Sequence, residues 1–595
     1  MASSVTQENR SLSLTTPLGE DVLKLIGFSG TEAVSHLFTY HLEMYSENDS
    51  IAPKDIIGKN VTWSVSQFDK APRHFNGFIN RFSAGAVDRR GYRTYHAEVV
   101  PWLWFLTRTA NCRIFQNMAA DAIIAKVIDD LGFSSQFEMK LTGTYATREY
   151  CVQYRETAFN FISRLAEFEG MFYYFHHEDG KHTLVLGDKA TAYVDCAENE
   201  VNYSSGTLAA NVISSWNHSY EFTTGKWART DYNFESPGNN LLTTASTIVD
   251  TPDSPKFEIF DYPGDYMATG DGTPVTKIRM EEIETGYDVV SGISECCTFT
   301  PGGKFTLNKH DVDSENDGYL ITSIHHYASD ESHNTSAERF SYSNTFTCIK
   351  NSIVYRPRQI TPKPTVQGVQ TAVVTGPAGE EIYVDKYGRI KVQFFWDREG
   401  KKDEKSSCWI RVSEQWAGKN WGFVAHPRLG QEVVVDFLEG DPDRPLITGR
   451  VYNAEQMPPY DLPANMTQSG IKSRSSKGGS TANFNEFRFE DKKGSELVYL
   501  HAEKDQTIEV EHDESHWVGH DRTKTIDNDE TTHVKHDRTE TVDNNETITI
   551  HGNRTETVDK DESITIHGNR TEEVDKDETI TIHGNRTETV DKDES

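Results

Sequence analysis

Histidine is where hydrolytic chemistry would have to begin in this chain, because His177, Glu178 and His182 lie close together. A zinc protease of the His-Glu-x-x-His type needs its histidines one helical turn apart, so that both imidazoles reach one metal beside a glutamate base. Here the two are five positions apart with Gly180 between them. That spacing suits a hairpin turn over His177–His182 and not a ligand-bearing helix. His512, His516 and His520 do have the spacing of four, but they fall in a stretch that repeats every eight residues, where such a spacing alternates between strand and turn. His551, His567 and His583 each precede Gly-Asn and read as turn residues. Histidines stacked around a threefold axis could hold a metal, yet such a site needs closely paired histidines at an apex, and the chain has none. The acidic pairs Asp441/Asp443 and Glu281/Glu282 would suit glycosidase chemistry only across a cleft of set width; both read as solvated surface charge. The chain contains neither a Gly-x-Ser-x-Gly elbow nor a Walker loop. No catalytic residue, metal or cofactor is expected, and the chain is read as a non-enzyme.

The elements around the late histidines explain more than the histidines do. A β-branched residue recurs at every eighth position, as Val510, Val518, Ile526, Val534, Val542, Ile550, Val558, Ile566, Val574, Ile582 and Val590. A period of sixteen lies on top, visible in the two versions of HGNRTETVDKDESITI that start at His551 and His567. Thr, Val and Ile suit short strands, and the Asn, Asp and Gly that follow suit turns. Ordering one residue costs about 1–2 kcal/mol, which one or two apolar side chains per octad cannot offset in a single chain. Residues 506–595 are therefore expected to form an intertwined, triple-stranded β-prism, a trimeric needle whose core is this column of anchors. Four residues before the anchors stand Glu514, Arg522, Glu530, Arg538, Glu546, Arg554, Glu562, Arg570, Glu578 and Arg586, alternating in sign. If each chain moves to the next face with each octad, equivalent positions of neighbouring chains stack about 4.8 Å apart. Every Arg then lies between two Glu of other chains, and the expected ladder is made between chains.

The remainder of the 595 residues is read as mainly β. Two segments break the strand rhythm: Ala119–Leu131, which stops at Gly132, and Ala158–Glu169, whose apolar face carries Phe159, Phe161, Ile162, Leu165 and Ala166. Met171–Phe175 reads as a strand. Pro357, Pro362 and Pro364 mark a linker. Beyond it, residues 366–460 read as an OB-fold-like barrel of five or six strands, and 461–505 as a connector into the needle. Net charge is −32, and Arg389, Lys391, Arg411, Arg428 and Arg444 of the barrel are interleaved with acids, so no nucleic-acid partner is expected. Seven cysteines without a Cys-x-x-Cys pair read as reduced thiols. The N-terminus lacks the features of a signal peptide, and no apolar run is long enough to span a bilayer. The protein is thus expected to be made in the cytoplasm and exported, if at all, by a dedicated machine.

Arg73–Phe78, Arg113–Gln116 and Tyr154–Gly170 resemble the N-terminal half of VgrG proteins, the spikes of type VI secretion systems. Gly388–Gln393, Trp409–Val412, Pro427–Val435, Phe437–Pro445, Ser469–Ser473 and Phe489–Glu496 are similar to that family's barrel and its lead-in to the needle. The resemblance implies a phage-hub-like base over residues 1–365 with two related barrels, whose trimer presents a pseudo-sixfold ring. It further implies a homotrimer that caps an Hcp-type tube, a PAAR-type tip protein, effectors and their adaptors as cargo, and a target membrane pierced mechanically. Two other readings stay open: a spike whose C-terminal toxin is missing, because the sequence ends inside a repeat at Asp593–Ser595, and a prophage or tailocin baseplate spike.

Overall fold

A computed structural model describes residues 6–8, 10–67, 71–207, 212–330 and 340–592. The ending at Asp593–Ser595 lies outside these described residues. Two compact units divide between Gln506 and Thr507.

The first unit is built on a twelve-stranded sheet. Six strands follow in the spatial order Leu12–Thr15, Asn60–Val65, Arg73–Val87, Arg93–Val100, Thr39–Ser46 and Lys24–Ala33. Thr39–Ser46 illustrates why: Tyr40, Leu42 and Met44 are buried while His41 and Glu43 between them face water, the alternation of a half-buried strand. Phe28, Tyr40, Trp63 and Phe75 meet inside, with Trp63 stacked on Phe75 at 5.5 Å. Burying such side chains stabilises the fold by about 1.5–3 kcal/mol each. Lys24–Ala33 then pairs with Gly318–Asp330, which opens a second set with Gly303–Asn308, Val194–Tyr203, Val212–Tyr220, Asp288–Ser294 and Phe340–Lys350. Because Phe340–Lys350 also pairs back onto Gly318–Asp330, this second set closes into a ring.

Helices occur at Ala120–Asp130, Ala158–Glu169 and Thr269–Thr285. The second is bounded by sharp signals. The Thr157 hydroxyl accepts the Asn160 N–H at 3.1 Å, and Gly170 closes the last turn at φ 69°. Of its expected apolar face, Phe161, Ile162, Leu165 and Ala166 are buried and Phe159 is half-buried. The third helix is a departure from the sequence reading. Its buried stripe of Gly272, Val275, Thr276, Arg279 and Met280 has helical spacing but little apolar character. The strand expected over Met171–Phe175 runs from Phe172 to Glu178. It pairs with Lys181–Gly187, His177 opposite His182. The turn is therefore only Asp179-Gly180, with Gly180 at φ 76°, and both histidines belong to strands.

Gln370–Thr375, Lys391–Phe394, Arg411–Val412, Glu432–Phe437 and Pro445–Val451 form a separate five-stranded sheet. A bridge between Ile390 and Ile410 joins its two ends, closing a barrel around Val374, Ile390, Val392, Val433, Val435 and Ile447. A last sheet of Gln468–Lys472, Glu486–Glu490 and Leu497–His501 ends this unit.

The second unit is an extended chain with a bend at the two residues after every anchor, from Glu511-His512 to Asp591-Lys592, at a strict spacing of eight. Strand pairing needs a partner, and one chain offers none: no strand is formed among the described residues 507–592.

Candidate functional site

The segment between base and barrel is held by carboxylates. Arg356 places Nε 2.8 Å from Glu281 and donates through Nη1 to the carbonyls of Gly170 and Asp188, each at 2.9 Å. Glu282 accepts the Gln359 N–H at 2.9 Å and pairs with buried Arg279 at 2.6 Å. Glu167, on the second helix, accepts the amides of Ile360 and Thr361 and the Thr361 hydroxyl at 2.7–3.1 Å. Lys363 Nζ then reaches Asp441 at 2.6 Å, Asp443 at 2.9 Å and Asp265 at 3.8 Å. Arg444 completes the cluster by contacting Asp231 and approaching Asp265 at 3.5 Å. Burial alone would lower the Lys363 pKa, but Asp443, Asp265 and Asp441 outweigh it and hold the ammonium charged. Burial raises the Asp441 pKa and Asp443 adds to the rise, against the pull of Lys363.

These contacts correct the reading of Asp441/Asp443 and Glu281/Glu282 as solvated charge. Asp441 is 8% exposed, and each pair fixes a cation of the linker. A carboxylate leaves water at a cost unless a cation and hydrogen bonds replace its hydration. The sequence hides those partners because they lie 78 and 75 positions away.

His177 and His182 are core residues. His177 Nδ1 accepts the Asn76 N–H at 3.0 Å, which leaves its Nε2–H facing Glu32 at 3.5 Å. His182 Nε2 accepts the Trp102 N–H at 2.9 Å, so its Nδ1–H points to Asn76 Oδ1 at 2.8 Å. His326 Nε2 lies 3.5 Å from Glu32, and the Tyr40 hydroxyl donates to the same carboxylate. Burial would raise the Glu32 pKa, but His177 and His326 hold it well below the usual carboxylate range. Burial pushes His182 well down and lowers His326. This is a structural knot that joins the hairpin to the sheet. Among the described residues, no three His, Cys, Asp or Glu side chains converge as metal ligands.

The barrel cations do not form a stripe. Arg389 pairs with Asp385 at 2.7 Å, Arg428 with Glu381 at 3.9 Å, and Lys391 donates to the Glu404 carbonyl at 2.7 Å. Arg411 stacks over Phe234 at 4.8 Å.

The repeat arm carries the remaining site residues. Val510, Val518, Ile526, Val534, Val542, Ile550, Val558, Ile566, Val574, Ile582 and Val590 are all 47–52% exposed, one environment repeated along the arm. No backbone–backbone hydrogen bond is formed among the described residues 507–592. Within one chain Arg538, Arg554, Arg570 and Arg586 each pair with the glutamate two residues on, Glu540, Glu556, Glu572 and Glu588, at 2.6–3.0 Å. Glu514 pairs with His516 at 2.6 Å, and Glu530 contacts Lys524. His512, His520 and His536 lie in the bends, each 2.8–2.9 Å from the following Asp. His551, His567 and His583 occupy bends with Gly552, Gly568 and Gly584.

Three families match in chain order. Residues 31–332 match the phage tail baseplate hub, residues 372–452 the type VI secretion system/phage-baseplate injector OB domain, and residues 469–582 the bacteriophage T4 gp5 C-terminal trimerisation domain. Type VI secretion system spike protein VgrG1b of Pseudomonas aeruginosa is 47% identical over 526 residues, spanning 87% of this chain and 70% of that protein. VgrG1a of the same organism is 44% identical over 526 residues, 86% of this chain and 80% of that one. The E. coli c3393 protein, a type VI secretion component with structural similarity to T4 tail proteins gp27 and gp5, shares the fold. Its TM-score is 0.54 at 22% identity, over 74% of this chain and 100% of that chain. A chain of the half-lidded Francisella PdpA–VgrG complex also shares the fold, with a TM-score of 0.52 at 10% identity, over 82% of this chain and 87% of that chain. A base, a barrel and a repeat arm in this order, with relatives at this identity, place the chain in the VgrG family of type VI secretion system spike proteins.

Proposed function

We propose that three copies of this chain form a puncturing spike that works by stiffness and not by turnover. Residues 1–365 would serve as the base on an Hcp-type tube, 366–460 as a barrel, 461–505 as the connector and 506–595 as the needle. A PAAR-type tip protein and effectors with their adaptors would travel with it. The spike would be made in the cytoplasm of the producing cell and then driven out to pierce the target membrane. The observation that carries this reading is the arm with half-exposed anchors and no backbone pairing of its own. Backbone N–H and C=O groups in ordered structure are nearly always paired, and the natural partners are the same groups of two further copies. In that setting Arg538, Arg554 and Arg570 would leave their own-chain glutamates for Glu546, Glu562 and Glu578 of neighbouring chains.

Light scattering on the purified chain tests the assembly and is expected to give three chain masses down to nanomolar concentration, with the arm resistant to protease. A folded, resistant arm at one chain mass would end this reading. The purified spike is also expected to leave peptidoglycan, ATP and nucleic acids unchanged. Turnover abolished by one point substitution would overturn the mechanical role.

A further inference from the structure

We infer that the apolar face of the sheet Gln468–His501 is the seed at which three copies join, and that it fixes the register of the repeats that follow. In this sheet Ile471 stands opposite Phe487, Phe487 opposite Leu500, and Phe489 opposite Val498. Strand alternation puts all five on one face. They are 39–63% exposed, and the rings of Phe487 and Phe489 meet edge to face at 4.9 Å. The opposite face is already occupied. Arg488 lies over Tyr499 at 4.8 Å and Tyr460 at 5.8 Å, and pairs with buried Glu486 at 3.1 Å. A sheet covered on one side only, with two Phe, an Ile, a Val and a Leu in water, is incomplete as one chain.

The occupant of that face is the same face of two other copies. The trimerisation match begins at residue 469, within the first strand of this sheet, so the chains come together here. The octads cannot choose their own register. Their anchors share one environment at 47–52% exposure, and a slip by one octad exchanges like for like. Alternating charge would resist that slip, because it sets Arg against Arg. A slip by two octads restores Glu against Arg, since the sequence repeats at sixteen. Neither anchors nor charges detect it. A non-repeating apolar core just ahead of the first octad removes this degeneracy, and it also supplies the burial that each octad lacks. The sheets join first, and the arms then pair outward from them.

This inference rests on the trimeric reading, and the test separates the two. The full chain is diluted from denaturant while mass is followed by light scattering and the arm by protease resistance. Phe487→Ser with Phe489→Ser alters side chains exposed in the single chain, so the near-UV circular dichroism of the base should be retained. Assembly of this variant is expected to slow by at least about tenfold, whereas Val558→Ser in mid-arm stays within about twofold, as substitutions inside and outside a nucleus do. Cross-linking between copies through Asp591→Cys with a short bis-maleimide reads the register, and is expected to fall in the double variant. A double variant that assembles and cross-links like the unaltered chain overturns the seed, as does Val558→Ser slowing assembly equally. An unaltered chain that never reaches three chain masses overturns the trimer itself.

Discussion

Lys363 Nζ stands 2.9 Å from Asp443 Oδ2, and the other oxygen of Asp443 accepts the Val152 N–H at 2.6 Å. One carboxylate thus ties the linker and the barrel to a strand of the base. A segment with the prolines of a spacer is pinned by side chains, and the barrel is joined to the base through ion pairs and hydrogen bonds as well as through covalent chain.

Lys363→Met should show this. The substitution leaves Asp441, Asp443 and Asp265 facing one another with only Arg444 beside them, 3.9 Å from Asp441 and 3.5 Å from Asp265. Removing one partner of a buried pair costs about 3–5 kcal/mol; with Lys363 30% exposed, a loss of about 3 kcal/mol is expected. Urea denaturation of the full chain measures it, and an unchanged midpoint would mean the cluster does not hold the joint.

Acid should weaken the base before its carboxylates titrate. His182 and His326 have folded pKa values below their ordinary 6.5, chiefly through burial. The unfolded chain therefore binds protons first, so stability is full above about pH 6.5 and declines as pH falls below it. Glu32, depressed by His177 and His326 against its burial, adds a second loss below its ordinary 4.5. Arg73, Tyr40, Tyr342 and Asn76 face the same cluster. The urea midpoint is expected to drop as pH falls from about 6.5 to 5.5, and less steeply in His182→Gln. A flat profile over that range would refute the assignment.

A charge swap separates the two partners open to the arm's arginines. Arg554→Glu should destabilise the trimer, each lost cross-strand pair being worth about 0.2–1 kcal/mol on three faces. Adding Glu562→Arg should restore thermal stability if the pairing runs between chains. Rescue by Glu556→Arg instead would assign Arg554 to its own strand, where it lies 2.8 Å from Glu556 in the single chain.

Gly170→Ala is expected to cost about 2 kcal/mol, from a strained left-handed backbone and from crowding. An added Cβ would meet Ile278 Cγ2 at 2.7 Å and Arg356 Cδ at 3.2 Å. Calorimetry of the base measures the loss, and a wild-type melting temperature would contradict it.

What could be read from sequence is what repeats or is local. The octad survives because each anchor and its bend are set within eight residues, and the Ala158–Glu169 helix because Thr157 and Gly170 adjoin it. The Thr269–Thr285 helix escaped because Gly272, Thr276 and Arg279 interrupt Val275 and Met280 on its buried stripe and Pro274 lies inside it, so no apolar periodicity marks it. The clamp escaped for another reason. Asp441 and Glu281 gain their meaning from Lys363 and Arg356, which only the folded chain brings near. The spacing of His177 and His182 already argues against a zinc-protease helix but not for the core role they take, with ring nitrogens engaged with or turned toward Asn76, Trp102 and Glu32.

The bend after every anchor makes the arm a genetic ruler. Because anchor, bend and charge sign return together only after sixteen residues, unequal recombination between the coding repeats can lengthen or shorten the arm in whole units while leaving every surviving contact of the same kind. Gain of a single octad would invert the sign pattern on everything downstream. Reach can therefore drift between strains in double steps, without a new residue having to be invented.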